Sequence, residues 1–99
     1  MSNLDRYLAL VRSFPVMRFA PVGALRGRVI DFRELETWAT EEDADGREGI
    51  LATVQFLLSV WSSSHPWACG KFDLFAALNV WDEDQLAAWK AWAADPWRP

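Results

Sequence analysis

The spacing Asp-x-x-Glu or Asp-x-x-Gln occurs three times just ahead of an apolar period of 3.6, at Asp31 to Glu34, Asp45 to Glu48 and Asp82 to Gln85. An aspartate at an N-cap accepts an otherwise orphaned amide of the first helical turn, and the acid or amide three residues on can return the bond, so each pair marks where a helix starts. Three such starts in 99 residues predict a mainly helical chain.

The apolar periods agree with the caps. Leu4, Tyr7, Leu8 and Val11 occupy one helical face, with Ser2 or Asn3 placed to cap it. That helix should end near Ser13, because Pro15 restricts Phe14 to extended geometry. A second helix follows Asp31, buries Leu35, Trp38 and Ala39, and stops at the acids Glu41, Glu42 and Asp43, which oppose the negative end of a helix dipole. Ile30 and Leu35 are spaced for a hydrophobic staple.

The longest helix opens after Asp45 and presents Ile50, Leu51, Val54, Leu57, Leu58 and Trp61 on one side, with Ala52, Phe56 and Val60 on the other. A helix apolar around most of its circumference belongs at the centre of a bundle, so residues 47–62 are its expected middle. Ser62, Ser63, Ser64, His65 and Pro66 end it. A short helix is expected from Phe72 to Leu78, closed by Asn79, and a last one from Asp82 to the stop at Asp95 and Pro96, with Trp81 and Leu86 spaced for another staple.

Between Phe14 and Ile30 the period is lost amid Pro15, Pro21, Gly23 and Gly27, which predicts an irregular crossover with short extended pieces at Val16–Ala20 and Arg28–Ile30. The expectation is a single all-α domain over residues 1–99, a small bundle of four to five helices. The 52% hydrophobic and 24% charged content suits one buried core.

Composition narrows the function classes. No run approaches the roughly 18 apolar residues of a membrane span, and Met1 to Leu10 carries Asp5 and Arg6 in an amphipathic pattern instead of a signal-peptide core. A cytoplasmic protein without membrane contact is expected. Cys69 is the single cysteine and His65 the single histidine. An intrachain disulfide is impossible, and two ligands separated by a proline turn make no metal site, so neither metal nor cofactor is expected. No glycine-rich phosphate loop is present.

The net charge of −4 hides a dipolar distribution: residues 1–33 carry six arginines against Asp5 and Asp31, whereas residues 34–50 carry seven acids against Arg47. Arg18, Arg26, Arg28 and Arg33 flank Phe19 and Phe32. They are expected to pair with the acids of 41–48, and direct nucleic-acid binding is not expected.

Catalysis would require His65 to meet a nucleophile among Ser62, Ser63 and Ser64 or an acid from elsewhere; neighbours on one turn rarely aim at one another, so a non-enzymatic chain is expected. What remains are seven tryptophans. Trp38, Trp61 and Trp89 lie on helix stripes and are expected in the core. Trp67 and Trp97 lie in proline-flanked irregular segments, and with Trp92 and Arg98 they form the candidate surface for a protein partner, since tryptophan and arginine dominate interface hot spots. The opposing reading is that the tail folds back and Trp97 covers the core.

Three functional readings follow. The first is a protein–protein interaction module, an adaptor or inhibitor that binds a larger protein through an aromatic surface. The second is an acidic surface of Glu41, Glu42, Asp43, Asp45 and Glu48 that mimics nucleic acid and blocks a nucleic-acid-handling partner, as small phage or mobile-element inhibitors do. The third is a small enzyme using His65. A tryptophan-rich surface would equally serve a homo-oligomer.

Overall fold

The computed structural model describes residues 2–41 and 47–99, with Arg47 by its backbone alone. The described residues form an all-α domain with five helices: α1 (Asn3–Ser13), α2 (Phe32–Ala39), α3 (Arg47–Trp61), α4 (Leu74–Val80) and α5 (Glu83–Ala93). A 3-10 helix over Pro15–Phe19 and a two-stranded antiparallel hairpin, β1 (Leu25–Arg26) and β2 (Val29–Ile30), fill the crossover.

Caps set the helix starts. Ser2 Oγ accepts from the Asp5 amide at the head of α1, and its hydroxyl donates back to the Asp5 carboxylate at 2.9 Å. That bond holds the Asp5 carboxyl below its ordinary range against the opposing effect of burial, with help from Arg28 at 2.7 Å. Asp31 accepts from the Glu34 amide, Asp73 from those of Phe75 and Ala76, and Asp82 from that of Gln85.

In the two capping boxes that lie among the described residues, the return half does not form. The Asp31 amide donates to the Ala24 carbonyl instead, and the Glu34 carboxylate closes on Gly23, where a Cβ would stand 2.5 Å from Glu34 Oε2. In the third box, Gln85 Nε2 reaches the Asp82 carboxylate, while Gln85 Oε1 accepts the Val16 amide from the crossover. The second box begins at Asp45, outside the described residues.

Two element boundaries move. Of Val16–Ala20, expected to be extended, Val16–Phe19 lies in the 3-10 helix and Ala20 is its C-cap: Pro15 has the fixed φ of a first helical position, and Met17 and Ala20 donate to the carbonyls three residues back, at Phe14 and Met17. The hairpin does supply extended backbone at Val29–Ile30, turning at Gly27 with φ +59°. The fourth helix starts at Leu74, because Asp73 caps it, and runs through Asn79 to Val80.

Helix α3 is the middle of the bundle, packed against both α2 and α4. Val54, Leu57 and Leu58 are buried on one side and Ala52, Phe56 and Val60 on the other, so both of its faces belong to the core. Around Phe56 the rings of Phe14, Phe72, Trp81 and Trp92 gather with centroids 5.0–6.3 Å away. Offset and edge-on ring pairs at these distances contribute about 0.5–1.5 kcal/mol each beyond the area they bury.

The polar groups inside this core are paired. Tyr7 donates to the Leu57 carbonyl at 2.6 Å, joining α1 to α3, and the burial that shields this hydroxyl raises its pKa. Trp81 Nε1 donates to Thr53 Oγ1 at 2.9 Å, and that hydroxyl donates to the Gly49 carbonyl. A buried threonine in α3 therefore carries the indole of the α4–α5 junction.

Candidate interaction surfaces

The four expected contact residues are brought to two places, and the indole N–H groups of Trp67 and Trp92 are used internally. Trp67 is half-buried between Phe32 and His65, with centroids at 5.5 and 4.2 Å, and its indole N–H donates to the Ser62 carbonyl. Trp92 packs edge-on against Phe56 and donates its N–H to the Trp97 carbonyl at 3.1 Å. Trp97 folds back against the core, half-buried, under the Arg6 guanidinium. Arg98 reaches Ser63 Oγ at 3.3 Å. Trp92, Pro96, Trp97 and Arg98 enclose a shallow hollow of about 160 Å³.

Trp38 is buried and Trp89 half-buried as expected of helix stripes, but Trp61 is an exception. It sits on the last turn of α3, where neighbouring helices no longer cover it. Its ring is flanked by Tyr7 and Phe32, and 37% of the residue stays exposed.

Of the acidic segment, Glu41 and Glu48 are exposed, and Glu42, Asp43 and Asp45 lie outside the described residues. The expected pairing of arginines with these acids is not what the described residues show. Arg28 pairs with Asp5, Arg12 donates to the Gly27 carbonyl, Arg18 stacks over Phe19 at 4.8 Å, and Arg26 and Arg33 form no ion pair with a described residue. The hairpin turns the Arg28 side chain toward α1, onto Asp5.

His65 is exposed, touching Trp67, and no carboxylate among the described residues is hydrogen-bonded to it. Cys69 is buried in the turn that ends at Gly70, whose φ of +92° favours glycine. Its carbonyl accepts from Gln55 Nε2 and its amide donates to the Glu36 carboxylate. Burial, and secondarily the Glu36 charge, push its thiol up to about 11, so the nucleophilic thiolate is scarce at neutral pH. No group of three or more His, Cys, Asp or Glu side chains suited to a metal occurs among the described residues, and no helix there is long and apolar enough to cross a membrane.

The most exposed apolar side chains lie elsewhere. Phe75 is 80% exposed and Leu78, one turn on, is 45% exposed. Helix α4 turns Leu74, Ala77 and Val80 inward, which leaves the opposite face to these two. Phe19, Val22 and Val29 of the crossover are also exposed. Once Ala77 and Trp81 are seen to be buried, the one-turn spacing of Phe75 and Leu78 puts the two together on the uncovered side.

No family model, no curated protein and no solved structure matches this chain.

Proposed function

We propose that this domain is a non-enzymatic protein–protein interaction module, an adaptor or inhibitor, that docks on a larger protein through the outer face of α4. The observation that carries the reading is the pair Phe75 and Leu78. A phenylalanine exposed over four-fifths of its surface, with a leucine one turn away, is apolar area that a protein partner would remove from water. At about 25 cal/mol per Å² the two side chains supply on the order of 2–4 kcal/mol to such a contact.

The tail residues Trp67, Trp92, Trp97 and Arg98 take a lesser part than the sequence suggests. The indole N–H groups of Trp67 and Trp92 already have partners within the domain, so these residues offer a partner mainly ring edges and the Arg98 head. The buried thiol of Cys69 sits with a reducing compartment, and a cytoplasmic location goes with this reading.

The test is capture from the native host's lysate by the tagged domain, at low and moderate salt, beside a Phe75→Ser/Leu78→Ser variant that keeps the native circular dichroism. Loss of a dominant captured protein in the variant, with salt-tolerant capture by the native domain, supports the reading. Capture that survives the variant and collapses with salt contradicts it and favours the acidic-mimic alternative.

A further inference from the structure

Two grooves of opposite charge lie on either side of the 3-10 helix. On one side Val16 and Phe19 face Gly49, Ile50 and Val80 across a hollow of about 300 Å³, with Asp82 on its rim. Glu83 and Asp84 follow in the exposed first turn of α5, and Glu48 stands exposed beside Gly49. On the other side Phe14, Met17 and Leu25 floor a hollow of about 380 Å³ flanked by Arg12 and Arg18. Phe19, 64% exposed, walls the first hollow and Arg18, stacked on its ring, walls the second, so the pair forms the ridge between them.

We infer that this face pairs with a second copy of the chain across a two-fold axis near Phe19. A two-fold rotation about an apolar ridge with a basic flank and an acidic flank lays each basic flank on the other copy's acidic one, so the patch is self-complementary. The two Phe19 rings then pack on one another beside the axis, at the mouths of the apolar hollows that they help to line. Arg18 meets the first turn of α5, where Glu83 and Asp84 make no ion pair within the described residues of their own chain. An unrelated partner would have to supply both signs and the aromatic anchor in the mirrored order; a second copy supplies them by symmetry. Phe75 and Leu78 line neither hollow, so this pairing goes beyond the proposed docking face and leaves it open.

The test is sedimentation equilibrium from micromolar to near-millimolar chain, on the native protein and on two variants, Arg18→Glu and Glu83→Lys/Asp84→Lys, with circular dichroism to show that each is folded. The native chain is expected to dimerise, more weakly as salt rises. Each variant alone places like charges together twice per dimer and should raise the dissociation constant at least about tenfold. An equimolar mixture of the two variants restores both contacts and should dimerise nearly as the native chain does. Phe19→Ser should weaken the dimer without changing the fold. A native chain that stays monomeric throughout, variants that dimerise as well as the native chain, or a mixture of folded variants that fails to dimerise would each overturn the inference.

Discussion

The guanidinium carbon of Arg6 lies 4.3 Å from the centroid of the Trp97 ring, so the first helix holds down the last aromatic of the tail. Trp97 is joined a second time through its carbonyl, which accepts the Trp92 indole N–H. Trp97→Ala should therefore cost about 1–2 kcal/mol of stability, and Arg6→Ala about 0.5–1 kcal/mol. Urea unfolding of both variants and of the double variant measures the coupling, which is expected to be favourable. A fully additive cycle would show that the stacked pair contributes nothing.

Thr53→Val keeps the shape of a buried side chain but removes the oxygen that receives the Trp81 indole N–H. An unpaired buried donor costs about 1–3 kcal/mol. Trp81 fluorescence is masked by six other tryptophans, so the check is denaturant unfolding together with the indole N–H proton resonance, which should shift upfield as its bond is lost.

Gln85 ties α5 to the crossover through the Val16 amide at 3.1 Å. Gln85→Leu should leave α5 helical, since Asp82 still caps it, while exchange of the Val16 amide with solvent accelerates at least about tenfold, the equivalent of roughly 1.4 kcal/mol of lost protection. Unchanged protection at Val16 would mean that the 3-10 helix is held by its own packing alone.

The thiol of Cys69 is held protonated up to about 11 in the folded chain, above the ordinary thiol range near 8.5–9. The folded state thus binds a proton that the unfolded state has released in that interval. Stability from this group is complete below about pH 8.5 and is lost as pH rises through about 11. Cys69→Ala should flatten that part of the stability profile, and alkylation of the native thiol at neutral pH should be slow until denaturant is added.

The parts of this fold legible in the sequence are those fixed by neighbours in the chain. Ser2, Asp31 and Asp82 cap the helices that follow them, and the all-round apolar pattern of residues 47–62 places α3 at the centre, because cap and stripe geometry depend on residues three or four apart. The rest depends on distant partners. The 3-10 form of Pro15–Phe19 is braced by Gln85, 69 positions away, and Glu34 turns from its capping box to Gly23. Trp61 keeps its place on the stripe yet reaches beyond the helices that would cover it. Tryptophan content drew the candidate surface to the tail, where the indole N–H bonds of Trp67 and Trp92 turn inward; the exposed pair on α4 appears only once the buried face of that short helix is known.

Docking through Phe75 and Leu78 can be read in living cells. The most direct measurement installs a photo-crosslinking phenylalanine analogue in the native host, at position 75 in one strain and at the exposed Ala87 of α5 in another, and identifies the products by mass spectrometry. One dominant heterologous protein joined at position 75 and absent at position 87 is the expected result. Equal labelling at both positions, or no protein partner at position 75 in cells where the domain is folded and present, would contradict it.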